Sequence, residues 1–501
     1  MVKIASKYKR ILVLFVSLIL CFSMILPMFG NINNVKAAEE KSITVFSWED
    51  YLDLGDEEAE DPELQKSLLD VFEEKTGIHV NYHTFATNEE MYNEILKDPD
   101  ACDLVCPSEY MIMKMRDEGL IKPFKTPQNY IDNGSPYIKK VFKDLGLSLD
   151  NDMTYSVGYM WGTMGFIYSM EEIEAKELNH WSCLWDEKFN GRATIKDSLR
   201  DTYILAVAAV YEDELLQLKA EMPANYNERL TAIFNRTDDE TIAKVEDALI
   251  SLKSNLYGFE VDGGKNDMVT GKIDINFAWS GDAVAAIDEA EEVGKILGYT
   301  VPEEGSNVWF DGWVMTKNAD AENASKFIDF ICSPYAATRN MDYIGYVSCV
   351  GGDDVFDYVK ENYEVVGGEY KKDLSYFFDP DFFTNVAIDP NYSNPNYVVY
   401  TDETGRTFDA LYADWDVINR CAVMENFSND TLIKLNDMWF KVKLITLSTT
   451  WIIVLVVIIV LGVAAIVIFK NKDKLFPAKI PNTKKKVSNN GYKVISKEEI
   501  K

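Results

Sequence analysis

Residues 78–108, IHVNYHTFATNEEMYNEILKDPDACDLVCPS, hold a β-rich run, a helical stretch and a second short apolar run in succession. Ile78–Phe85 reads as a strand, Asn88–Leu96 as a helix, and Asp103–Cys106 as a strand that ends at Pro107-Ser108. Working outward, Ile43–Phe46 is an earlier short strand. Asp61-Pro62 then opens a helix whose apolar face is Leu64, Leu68, Leu69 and Phe72, and Gly77 closes it. Strand and helix in alternation call for an α/β architecture, a mostly parallel sheet covered by helices. Ligands of such sheets collect beyond the carboxyl ends of the strands. Trp48 and Ser108 both fall there.

The middle of the chain repeats this order. Tyr155–Tyr168 is an extended apolar run, Trp181–Trp185 starts a helical stretch, and Ala193–Lys196 is a strand leading into Asp197–Asp201. Ile275–Ala278 is a strand ending at Trp279-Ser280-Gly281-Asp282, and Thr300–Pro302 and Trp313–Thr316 bracket Trp309-Phe310-Asp311. Beyond Ser333-Pro334 the chain is helical. From Glu361 to Thr404 it reads as loops and short helices, and a last helix runs near Tyr412–Lys443.

The two ends place the protein at a membrane. Lys3, Lys7, Lys9 and Arg10 precede the uncharged run Ile11–Phe29, and Val35-Lys36-Ala37 follows, the pattern of a secretory signal cut after Ala37 or of an uncleaved N-terminal anchor. Trp451–Phe469 is 19 residues without a charge. At 1.5 Å per residue it reaches about 28 Å, enough for a transmembrane helix. Residues 470–501 carry ten Lys against three acids, which puts this tail in the cytoplasm. The segment between then lies on the outer, extracellular or periplasmic, face under either topology.

Setting aside the five basic residues of 1–37 and the charges of the tail leaves 35 basic and 79 acidic residues outside, near −44, against −32 for the whole chain. That excludes nucleic acid as a partner. About 400 external residues exceed one core and call for two lobes. Six external cysteines at irregular spacing predict no disulfide framework. The three histidines form no ligand spacing, and no phosphate loop or GxSxG is present, so no metal, cofactor or catalytic site is expected.

Two segments pair large π-faces with carboxylates: Phe46–Tyr51 (FSWEDY) and Trp309–Asp311 (WFD). Indole and phenol faces attract ammonium groups, at about 0.5–2 kcal/mol each. Carboxylates fix the charged ends through charge-assisted hydrogen bonds. This is the chemistry of a pocket for a small organic cation.

FSWEDY, CDLVCPSEYMIMKM (102–115), YSVGYMWGTMGFIYS (155–169), WSCLWDEKFNGRATIKDSLRD (181–201), FAWSGDA (277–283), VPEEGSNVWFDGW (301–313) and IGY (344–346) stand in one order over roughly 300 residues. In that order they resemble the spermidine/putrescine-binding proteins of polyamine ABC transporters. The resemblance implies a two-lobed periplasmic-binding-protein fold of class II with hinge crossovers. It implies an aromatic cage of Trp48, Tyr51, Tyr110, Trp279, Trp309 and Tyr346, amine-anchoring acids Asp201, Asp282 and Asp311, and Ser108 as a neutral partner. Asp50 matches an acid that contacts the amine in putrescine-preferring members. Glu49 stands where the family usually has Thr or Ser, and Ser198 where spermidine-preferring members have Asp. These differences weigh toward the shorter diamine, while WFD is of the spermidine type. Residues 347–404 depart from the family pattern.

The implied organisation is a signal or anchor at 1–37, lobe 1 at 38–155, lobe 2 at 156–305, a return to lobe 1 with C-terminal helices at 306–443, a transmembrane helix at 444–469 and a basic cytoplasmic tail at 470–501. The implied function is a membrane-anchored monomer, not an enzyme, that captures putrescine or spermidine for the permease subunits of an ABC transporter. The alternatives are an anchored polyamine sensor and an enzyme on the same fold with Cys106 as nucleophile.

Overall fold

The computed structural model describes residues 41–56, 58–444, 457 and 461. The signal or anchor segment 1–37, the tail 470–501 and all of the expected transmembrane stretch except Leu444, Val457 and Leu461 lie outside them. No helix among the described residues is long and apolar enough to cross a membrane.

Strand β1 (Lys41–Trp48) pairs in parallel with β2 (Ile78–Phe85) along its whole length, and with β3 (Leu104–Val105) on its other edge. The sheet continues through β4 (Ser156–Ser169), β5 (Ala193–Lys196), β6 (Gly258–Glu260), β7 (Ile275–Trp279) and β8 (Ser306–Thr316) in the order β2-β1-β3-β8-β4-β7-β5-β6. Two long strands join its halves. β4 runs antiparallel to β8 through Ser156–Thr163 and then antiparallel to β7 through Met164–Tyr168. All eleven residues of β8 are buried, as are all but the last of β4, because helices cover both faces. The register slips between Asp311 and Gly312, a bulge that re-aims side chains in the middle of β8.

Helices α1 (Leu68–Thr76), α2 (Asn88–Lys97), α3 (Glu109–Asp117), α4 (Leu199–Val210) and α5 (Ser280–Glu292) pack on this sheet, and α6 (Asn429–Lys443) follows later. Ser108 and Ser198 stand at the N-caps of α3 and α4, directly after strands. α1 starts at Leu68, not at Asp61. Ser67 caps it by accepting from the Asp70 N–H, and Arg339 holds the preceding turn open by donating to the Glu63 and Lys66 carbonyls. Gly77 ends it with φ of 69°.

The expected helix over 412–443 is broken. Cys421-Ala422 pairs in parallel with Ser306-Asn307 of β8, so the chain is extended there and α6 begins only at Asn429. Within 361–404, Tyr370–Asp373 and Val398–Thr401 form a two-stranded ribbon, and Phe377 stacks on Trp161 at 5.3 Å. The six cysteines described are free thiols.

Arg339 fixes the segment that follows β1. Its guanidinium meets Asp53 at 2.6 and 2.7 Å, and both side chains are more than 90% buried. Removing one partner leaves the other charge buried alone. Arg339→Ala is therefore expected to lower the unfolding free energy by about 3–5 kcal/mol, read from urea denaturation.

Candidate functional site

Asp311 sits at the β8 bulge, opposite the backbone of Ser108 in an isolated bridge. Its Oδ2 accepts from the Tyr51 hydroxyl at 2.8 Å, while its Oδ1 is buried with no protein partner. Burial pushes this carboxyl up to about 6, against the pull of the neighbouring Ser108 and Tyr51 hydroxyls. Next to it stands Glu109, the first residue of α3 and fully buried. The Phe310 N–H donates to its Oε2 at 3.1 Å, and Oε1 has no partner. Burial pushes Glu109 up to about 8, with the charge of Asp311 adding to the rise.

An aromatic wall stands beside these acids. Tyr51 meets Tyr159 and Tyr346 edge-on at 5.4 and 6.0 Å, and Trp309 tilts over Tyr346 at 5.4 Å. The indole Nε1 of Trp309 and that of Trp48 are buried without partners. Trp48, at the end of β1, packs on Phe85 at 4.7 Å. Tyr346 crosses Gly281 so closely that a Cβ there would fall 1.4 Å from its Cδ1, which is why α5 carries glycine at that position.

Tyr346 joins the two halves of the site, donating to Asp282 Oδ1 at 3.3 Å. On that side the acid is already paired. Lys196, closing β5 with a wholly buried side chain, donates to Asp282 Oδ2 at 2.8 Å and to the Val261 carbonyl at 2.8 Å, and lies 3.2 Å from Glu260 Oε1. Its ammonium stands 4.4 Å from the centroid of the Trp279 ring. Lys265 reaches Asp282 Oδ1 at 3.2 Å. Burial would raise Asp282, but the two lysines outweigh it and hold the carboxyl below its usual range. Burial would likewise strip the proton from Lys196, and Asp282 and Glu260 keep it on.

Tyr110 is also engaged. The Arg200 guanidinium lies 3.8 Å over its ring, sandwiched against Phe427 at 4.6 Å. The Tyr110 hydroxyl accepts from Asn88 and donates to Glu89. Ser198 caps α4, accepting from the Asp201 N–H, and buried Asp201 is raised by desolvation against the opposing pull of Ser198, Lys196 and Arg200. Glu49 and Asp50 are exposed on the turn after β1, Asp50 with φ of 51°.

Of the residues the sequence nominated, the structure links Tyr51, Ser108, Trp309, Asp311, Tyr346, Asp282 and Trp279 in one chain of contacts. Trp48 flanks it. Tyr110, Ser198 and Asp201 gather around Arg200. Sequence reasoning missed Glu109, Lys196, Arg200, Glu260 and Lys265. Lys196 did leave a signal, since a lysine ending the short strand Ala-Thr-Ile-Lys must find a partner if that strand is buried on both faces.

Cys106 is fully buried, and its thiol is pushed up by burial, with Asp311 and Cys349 adding. The nucleophilic form is the thiolate, so this cysteine is poorly placed to attack a substrate. His180, Glu212 and Glu304 are the one His/Cys/Asp/Glu triad among the described residues close enough to hold a metal ion. His180 Nδ1 and Glu304 Oε1 lie 2.8 Å apart there.

Comparison with known proteins places this geometry in a lineage. The chain is 27% identical over 313 residues to the spermidine/putrescine-binding periplasmic protein of Salmonella typhimurium, covering 62% of this chain and 78% of that one. It is 25% identical over 323 residues to the putrescine-binding periplasmic protein PotF of Escherichia coli, covering 62% and 79%. The solved spermidine/putrescine ABC transporter substrate-binding protein PotD of Streptococcus pneumoniae superposes with a TM-score of 0.52 at 25% identity, over 80% of this chain and 98% of that one. The Bacterial extracellular solute-binding protein family matches residues 67–351, more than half of the chain, which therefore belongs to that family and has its two-domain α/β fold.

Proposed function

We propose that this protein is a membrane-anchored extracellular solute-binding protein that captures a polyamine, putrescine or spermidine, and delivers it to the permease of an ABC transporter. The observation that carries the reading is the pair of buried carboxyls, Asp311 and Glu109, each with one unpartnered oxygen beside the Tyr51–Trp309–Tyr346 wall. A cationic amine supplies what both lack, charge and donors together. Lys196 over Trp279 is an internal precedent, because the same cleft already holds an ammonium between acids and an indole face. The names of the relatives support the solute class, and the uncharged run Trp451–Phe469 supports the anchor.

The proposed lobes, residues 38–155 with the return at 306–443 and residues 156–305, meet across β4 and β8. Tyr51, Asp311 and Tyr346 come from the first and Trp279 and Asp282 from the second. Ligand bound against Tyr346 then favours the closed form, in which Tyr346 also reaches Asp282, and closure is what the permease reads. Binding breaks no bond.

Titration calorimetry of the full-length chain with putrescine and spermidine tests the reading, and absence of heat and of competition with either overturns it. Asp311→Asn is expected to weaken binding more than tenfold without lowering the apo melting temperature, since a desolvated pair contributes more than a surface one. Trp309→Leu keeps apolar area but loses the π-face, and should cost about 0.5–2 kcal/mol of affinity.

A pH series gives an independent check. Asp311 at about 6 and Glu109 at about 8 are raised above the usual carboxylate range, and an arriving cation favours their ionised forms. Binding then releases protons. Affinity should rise between roughly pH 5 and 8, with a slope up to tenfold per pH unit for each proton released. The binding heat should track the ionisation enthalpy of the buffer.

A further inference from the structure

The Lys196 ammonium has three acceptors within 3.2 Å, the Asp282 and Glu260 carboxylates and the Val261 carbonyl, and a ring face at 4.4 Å. Three acceptors match the three N–H bonds of a primary ammonium. No solvent reaches the side chain. This is the environment expected for the charged end of a bound amine, yet the chain fills it with its own residue. Lys265, on Asp282 Oδ1, adds a second positive charge. The two lysines balance Asp282 and Glu260, so these two acids have no unpaired negative charge to offer. The opposite half keeps its orphan oxygens on Asp311 and Glu109.

We propose that Lys196 is a tethered ammonium occupying the cleft's second cation subsite, so that only one charged end of a ligand is recognised, at Asp311, and short amines are selected over long polyamines. The inference rests on the reading of the cleft as an amine site. A second ligand amine reaching past Tyr346 meets two lysines instead of two free acids. Lys196 is thereby a specificity-determining residue. It acts by filling space and by neutralising Asp282 and Glu260, without itself contacting the ligand's anchored end.

Lys196→Met keeps most of the side-chain length, removes the charge, and leaves Glu260 and the Oδ2 of Asp282 to a ligand. Calorimetry of the full-length wild type and variant with putrescine and spermidine is expected to show the spermidine-to-putrescine affinity ratio rising at least tenfold in the variant. A smaller change overturns the proposal while leaving the amine reading intact. Absence of binding of either amine to the wild type overturns that reading, and the proposal with it. Should the variant not fold, the wild type decides. Propylamine and 1,3-diaminopropane should then bind within tenfold of one another, and a larger advantage for the diamine would mean that its second ammonium has an acid of its own.

Discussion

Buried carboxylates need a counter-charge or a proton, and the arrangement of this cleft follows from how each of its acids meets that need. Asp282 is paired by Lys196 and Lys265 and held ionised. Asp311 has only hydroxyl donors and Glu109 only a backbone N–H, so burial raises both. The two halves are electrostatically unlike although their residue types look alike. One is complete within the chain, and the other keeps an unpartnered oxygen on each of its acids. Leaving charge uncompensated at low dielectric costs several kcal/mol per group, so the incomplete half is where ligand free energy can come from.

The backbone brings the halves within reach of each other. β4 and β8 are shared by both parts of the sheet, and the bulge at Asp311 falls where β8 passes between them. Tyr346 spans the gap, and it can do so because Gly281 leaves its ring room against α5. Arg200, from α4, reaches the ring of Tyr110 on α3 and the Glu425 carbonyl. These contacts tie segments that lie far apart in the chain, through cation–π contacts worth about 0.5–2 kcal/mol each and hydrogen bonds of 2.9 and 3.3 Å.

Local pattern carried much of the fold. The limits of β2 and β5 were readable because β-rich runs end at helix signals, and Gly77 marked the end of α1. What local pattern missed came from distant partners. The turn at 61–66 resembles a helix start, but its carbonyls belong to Arg339, some 270 residues on. The break in the 412–443 stretch comes from the free edge of β8, which captures Cys421-Ala422. Within the site, the aromatic-acid segments pointed to Tyr51, Trp309 and Asp311, which do come together. The pairing of Asp282 with a lysine 86 residues away left no mark in spacing. Glu109 was hidden in a different way, because a glutamate at a helix N-terminus is ordinary there and only tertiary burial makes it unusual.

The strongly acidic exterior and the cleft then play different parts. A net charge near −44 on the external segment concentrates cations of every kind near the surface, with no preference among them. Selection has to occur where water is excluded. There an inorganic cation gains little, since the aromatic wall offers it few oxygen ligands, whereas an alkylammonium can satisfy Asp311 with its head and the rings of Tyr51, Trp309 and Tyr346 with its methylenes. The same logic bears on the role proposed for Lys196. It is an alkylammonium on a four-carbon stem, covalently attached, and against a side chain already at its post a free amine must compete at a disadvantage in entropy.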